Sequence, residues 1–165
     1  VHITRKAAAT LAAAVSLAGV VVLGGGPARA EGESFSKSVQ AASDGTNLDE
    51  YLGAAFLTRD SELGYQDWTF TKVAETSDGL GVYTIKGGHY GKCIADAGDG
   101  HSVTQLVCDP DDEYQKWVVD TDRERSTIAS NEDPEMVLQA NGEDQSVTIE
   151  PADGRLHQWW MLYDK

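Results

Sequence analysis

The chain has 165 residues, with 13 Lys and Arg against 27 Asp and Glu, four His, and a formal net charge of −14 at pH 7. A surface this acidic repels phosphate backbones and anionic lipid, which argues against nucleic acid and bilayer surfaces as partners of the folded chain. It leaves a neutral ligand, a cationic partner or simple solubility as the use of the charge.

In chain order, "VHITRKAAATLAAAVSLAGVVVLGGGPARA" comes first. Arg5 and Lys6 form a short basic start, an apolar run extends from Ala7 to Leu23, and Ala28 and Ala30 make an A-x-A cleavage pattern. This predicts a secretory signal peptide over 1–30, removed near Ala30, because no stop-transfer pattern follows it. An initiating Val1 fits a bacterial GTG start codon. The mature chain is therefore expected outside the cell. Its basic residues fall from 13 to 10 once Arg5, Lys6 and Arg29 are gone, and against 27 acidic residues the formal charge becomes −17. Residues 31–165 are one domain's worth of chain, long enough for a single core. A monomer is expected.

Residues 31–40 read as a lead-in to that domain. Short runs rich in Val, Ile, Thr, Tyr and Trp follow: "DWTFTKV", "GVYTIKG", "SVTQLVC", "KWVVD", "SVTIEP" and "WWMLY". Turn dipeptides punctuate the chain at Asp44-Gly45, Asp78-Gly79, Asp99-Gly100, Asn141-Gly142 and Asp153-Gly154. Many short strands with closely spaced turns predict an all-β sandwich or barrel. "TNLDEYLGAAFL" carries at most a helical turn, too short to change the class. Cys93 and Cys108 are the only cysteines. An exported chain meets an oxidising environment, so one disulfide is expected, worth about 3 kcal/mol in the chain-entropy view. Two thiols without C-x-x-C spacing or nearby histidines do not make a metal site.

Internal repetition chooses between sandwich and barrel. Gln-x-Trp occurs at Gln66-Asp67-Trp68, Gln115-Lys116-Trp117 and Gln158-Trp159-Trp160, with spacings of 49 and 43 residues. Ahead of the last two, "GKCIADAGDGHSVTQLVCDPDDEYQKWVV" and "EMVLQANGEDQSVTIEPADGRLHQWWML" align: an apolar pair, an Asp-Gly or Asn-Gly turn, "SVT", then an acidic turn. Three such units, each ending in Gln-x-Trp, resemble the ricin B-chain-type lectins. In the second unit Lys92-Cys93-Ile94 and Cys108 match that family's intra-repeat disulfide. The resemblance implies a β-trefoil over 41–165, with three four-stranded repeats at about 41–75, 82–120 and 126–163 around a pseudo-threefold axis. Closure of such a barrel also removes exposed strand edges.

Alternation along a strand puts Gln and Trp of the motif on one face. The Trp supplies apolar bulk and the Gln amide can satisfy backbone groups of the preceding loop. Gln66, Trp68, Gln115, Trp117, Gln158 and Trp160 are therefore expected to hold the fold. The resemblance implies sugar pockets with a carboxylate just after the first cysteine position, an aromatic platform, and an amide before the motif Gln. Ala95 stands at the carboxylate position of the second unit and Asp96 one residue later; Leu106 stands at its platform and Tyr114 at its amide. Gln139 and His157 replace the carboxylate and amide of the third unit. The first unit has Tyr65 before Gln66, with Asp49 as the nearby carboxylate. Candidate sugar contacts are thus Asp96, His101 in the loop after Asp99-Gly100, Tyr114, Tyr65 and His157.

No G-x-S-x-G elbow, zinc-ligand helix, phosphate loop or calcium loop is present. The runs Asp109–Glu113 and Glu132–Glu135 read as solvated surface. No catalytic residue, metal or cofactor is expected. The expected function is non-catalytic binding of a glycan or polysaccharide. The alternative is a trefoil that binds a secreted protein as an inhibitor or accessory subunit.

Overall fold

The computed structural model describes residues 32–51, 54–59 and 64–164. The expected signal peptide, 1–30, lies outside them. The first unit contains β1 (Ser34–Ala41), β2 (Asn47–Tyr51), β3 (Ala54–Thr58) and β4 (Trp68–Glu75). The second contains β5 (Gly81–Gly87), β6 (Cys93–Ala95), β7 (Thr104–Leu106) and β8 (Trp117–Val119). In the third, β9 (Arg125–Ser126) and β10 (Ile128–Ser130) form one run interrupted at Thr127, followed by β11 (Met136–Gln139), β12 (Thr148–Pro151) and β13 (Trp160–Tyr163). Single 3₁₀ turns at Glu113–Gln115 and Leu156–Gln158 carry the Gln of the second and third motifs.

Antiparallel pairing runs β1–β4–β5–β8–β10, and β13 joins β9 on one side to β1 on the other, so the wall closes on itself. The hairpins β2–β3, β6–β7 and β11–β12 cap it. They meet in a ring of three backbone hydrogen bonds. Ala55 N–H donates to Val103 O (3.3 Å), Val103 N–H to Val147 O (2.9 Å), and Val147 N–H to Ala55 O (3.1 Å). All three residues are fully buried. This arrangement is a β-trefoil, with one contribution from each unit around the axis.

Trp68, Trp117 and Trp160 are completely buried in the core. Their indole N–H groups donate to Leu48 O (2.9 Å), Ile94 O (3.1 Å) and Leu138 O (3.1 Å), the equivalent residue of each hairpin. Each ring therefore adds apolar bulk and also ties a barrel strand to its own hairpin. Truncating so large a buried ring generally costs about 3–5 kcal/mol.

The motif glutamines hold the loops. Gln115 donates to Val107 O (3.1 Å) and accepts from Asp109 N–H (3.0 Å); Gln158 donates to Pro151 O (2.9 Å) and accepts from Asp153 N–H (2.7 Å). Gln66 donates instead to the Thr58 hydroxyl (2.8 Å). The Cys93–Cys108 disulfide is formed and ties the second hairpin to its loop.

Two expectations need correction. Ser34–Ala41 is a wall strand rather than a lead-in: it pairs with Trp68–Thr71 on one edge and Trp160–Tyr163 on the other. Its burial is supplied by both neighbours, so Phe35, Val39 and Ala41 suffice as its apolar content. Within "TNLDEYLGAAFL", Asn47–Tyr51 and Ala54–Leu57 are paired strands of the β2–β3 hairpin rather than a helical turn, with Asp49 and Glu50 buried on β2.

Candidate functional site

Strand register makes three positions equivalent. Asp49 pairs with Phe56, Ala95 with Thr104 and Gln139 with Thr148. One residue further, Glu50 N–H donates to Tyr65 O (2.9 Å), Asp96 N–H to Tyr114 O (2.8 Å) and Ala140 N–H to His157 O (2.7 Å). Tyr65, Tyr114 and His157 therefore occupy one structural position, each beside its own hairpin. Two residues along from Phe56, Thr104 and Thr148, the platform positions hold Thr58, Leu106 and Glu150.

The candidates do not converge on one pocket. Asp96 Oδ1 accepts from Gly98 N–H (2.7 Å), so this carboxylate caps the turn of its own loop. His101 lies in the same exposed loop, with Nδ1 2.8 Å from Asp99 O. Tyr114 is exposed, and Asp112 Oδ1 accepts from its backbone N–H (3.1 Å). His157 is half-buried, with Nε2 3.3 Å from Asp153 Oδ2. In the third unit Gln139 is occupied as well: its Oε1 accepts from Gln158 Nε2 (3.2 Å) and its Nε2 donates to Asn141 (3.1 Å).

Tyr65 differs from the others because it stands in an aromatic group. Its ring lies 3.9 Å from the His89 ring, tilted by 35°, and 5.9 Å from Tyr90; His89 and Tyr90 meet edge-on at 4.6 Å. His89 and Tyr90 are exposed and come from the β5–β6 loop of the second unit. Beneath them sits Glu50, 1% exposed, whose carboxylate accepts from His89 N–H (2.6 Å), Tyr90 N–H (3.2 Å) and Gln105 Nε2 (3.1 Å). Three donors offset the cost of withdrawing a charge from water. Gly87 is required here, because a Cβ would overlap the Glu50 carboxyl group. Gly91, at φ 66°, closes the loop by donating to Gly87 O (3.1 Å).

Withdrawal from water pushes the Tyr90 phenol above its ordinary value; Tyr65 adds to the shift by charge and by a hydrogen bond, and the Glu50 and Asp49 carboxylates add the rest. Asp49, on β2, is nearly buried and accepts from the Thr58 hydroxyl (3.2 Å). The site joins Asp49, Glu50 and Tyr65 of the first unit to His89 and Tyr90 of the second, with Glu50 holding the loop from beneath and the rings presenting an aromatic face and a phenol. Sequence reading missed His89, Tyr90 and Glu50. The available signal was "GGHYG", two adjacent rings between glycines in a loop too short to bury them. Among the described residues no group of three His, Cys, Asp or Glu is placed to hold a metal ion, and no helix is long and apolar enough to cross a membrane.

No curated protein matches the chain. Solved structures do match by fold. A designed threefold-symmetric protein, ThreeFoil, superposes with a TM-score of 0.69 at 19% identity, covering 79% of this chain and 99% of that one. The ricin B-like lectin of Macrolepiota procera, solved with lactose, gives 0.63 at 17% identity, covering 79% and 96%. The C-terminal half of an earthworm R-type lectin, solved with GalNAc, gives 0.59 at 15%, covering 79% and 98%. A family model described as ricin-type beta-trefoil lectin domain-like matches residues 64–159, well over half the chain. By that match, and by a barrel with its three tryptophan-tied hairpins, the chain belongs to the ricin-type β-trefoil lectin-like family.

Proposed function

We propose that the chain is a secreted, non-catalytic carbohydrate-binding module whose glycan contacts in the first unit are Tyr65, His89, Tyr90 and Asp49. The observation that carries this reading is the ring group fixed over Glu50. A sugar ring has one C–H-rich face that stacks on an aromatic side chain, and hydroxyls that bond to carboxylates and to a neutral phenol. Because the loop is already held by Glu50, Gly87 and Gly91, little ordering remains to be done on binding. The sugars bound by the lectins of Macrolepiota procera and earthworm support the ligand class. The pattern of residues 1–30 and the disulfide support export. In the second and third units the usual pocket positions hold Ala95, Leu106, Gln139 and Glu150, so these pockets are degenerate in this reading.

Affinity electrophoresis through gels containing a polysaccharide series, together with a glycan array, tests it. Tyr90→Ala should weaken binding at least tenfold, and Asp96→Ala should change it less than twofold. Equal loss in both variants, or none in Tyr90→Ala, removes the first-unit site. The protein-binding reading has one observation in its favour. Leu106, Val107 and Tyr114 leave apolar surface exposed where the second unit's sugar pocket would lie, Val107 at 81%. Co-purification of a secreted protein that is lost in Val107→Asp, with no glycan retained, establishes that reading instead.

A further inference from the structure

The middle residue of the third motif is itself a tryptophan. Trp159 links the 3₁₀ turn Leu156–Gln158 to β13; Gln158 and Trp160 on either side of it are buried, and it is the one Trp of the chain with exposed surface. The equivalent positions in the other units are Asp67 and Lys116, so an indole here is not a demand of the barrel. Its orientation is set by neighbours: Nε1 donates to Gly154 O (3.3 Å), its N–H to Leu156 O (3.1 Å), and its O accepts from Ala42 N–H (2.9 Å).

Trp159 lines a cavity of about 370 Å³ together with Leu156, Gly154, Glu124 and Arg125. That volume is at the small end of ligand pockets, which run from about 300 to 1,000 Å³. Leu156 is 53% exposed there, an apolar side chain left in water beside an indole. Glu124 and Arg125 are both exposed, and neither makes a side-chain hydrogen bond or ion pair among the described residues. A carboxylate only accepts and a guanidinium only donates. An anion entering the cavity meets Glu124, and a cation meets Arg125. A neutral pyranose, whose hydroxyls donate and accept and whose C–H face is apolar, satisfies both groups and the indole together.

We propose that this cavity is a second glycan-binding site, lined by none of the residues at the three hairpin pocket positions, in which a neutral pyranose stacks on Trp159 and hydrogen-bonds to Glu124 and Arg125. The proposal rests on the reading of the chain as a carbohydrate binder, and its test separates the two.

Trp68, Trp117 and Trp160 are fully buried, so acrylamide quenching of tryptophan emission reports on Trp159. The probes are lactose, cellotetraose, xylotetraose and chitotetraose, with trigalacturonate and a glucosamine tetramer as charged controls; calorimetry measures total binding. A neutral probe should protect Trp159 from quenching at least twofold. Protection should persist in Tyr90→Ala, and its dissociation constant should rise at least fivefold in Arg125→Met and in Glu124→Gln. Heat of binding to a neutral probe with Trp159 quenching unchanged overturns this site and leaves the first-unit site standing. Protection by a charged control alone overturns the neutral ligand class. Binding of no probe at millimolar concentration overturns both readings.

Discussion

Among the described residues Glu50 has no ion-pair partner; it is surrounded by N–H donors that would be stranded without it. Removing the carboxylate leaves His89 N–H, Tyr90 N–H and the Gln105 amide facing a void. Hydrogen bonds to charged groups are worth roughly 1.5–3 kcal/mol, and stranded buried donors cost about 1–3 kcal/mol each. Glu50→Ala should therefore lower the stability measured by urea unfolding by about 3 kcal/mol and loosen the aromatic loop. Gly87→Ala should cost a comparable amount for a different reason, since its methyl needs the space of the same carboxylate. The two effects are not independent. In Glu50→Ala the Gly87 methyl has room, so the double variant should be less damaged than the sum of the singles by at least 1 kcal/mol. Strict additivity would show that the close approach of Gly87 is not what makes it necessary.

Among the three capping hairpins, β6–β7 has the shortest strands, three residues each, and so the fewest cross-strand contacts of its own to hold it. The disulfide adds support by linking Cys93 to Cys108 across a separation of 15 residues. Replacing both cysteines with Ala should cost about 3 kcal/mol, the loop-entropy value for that length, with the fold retained in far-UV circular dichroism. The same elements show what was legible in the residues. Gln-x-Trp marked β8, β13 and β4 because both side chains work locally: the ring ties to its own hairpin and the amide to its own loop. β1 was not legible, because its partners β4 and β13 lie far along the chain and only their apposition makes Ser34–Ala41 a strand. The β2–β3 hairpin was obscured by two acids whose burial makes sense only once Thr58 and the β5–β6 loop are beside them. The ring group was hidden likewise. Tyr65 was nominated alone, while the rings that stack on it arrive from the next unit.

At the scale of the molecule, three units share a framework and have diverged at their rims. Each contributes one buried Trp, one motif Gln and one backbone link at the axis. At the pocket positions they hold Asp49, Ala95 and Gln139 beside Tyr65, Tyr114 and His157. Two glycan sites on one small domain, one at the first-unit rings and one at Trp159, would let a long polysaccharide be held at two points. Affinity for a polymer then exceeds that for its short oligomers without any new contact.

The three-membered hydrogen-bond ring of Ala55, Val103 and Val147 has a further consequence. A closed cycle has no first member, so the order in which the units follow one another along the polypeptide is a matter of where it is cut. β1 and β13 lie side by side, and Lys37 pairs with Asp164 at 2.5 Å, so the two ends of the described barrel are neighbours. A circular permutant joining Asp164 to Ser34 through about five Gly and Ser residues, which reach roughly 3.3–3.6 Å each, and opened between Asp122 and Arg123, should melt cooperatively with a Tm within several degrees of the parent. A chain cut off after Val119 should not, since its axial cycle is missing a member and its wall is open. If the truncated chain melts as sharply as the permutant, the units are separable and the ring is not what binds them into one cooperative body.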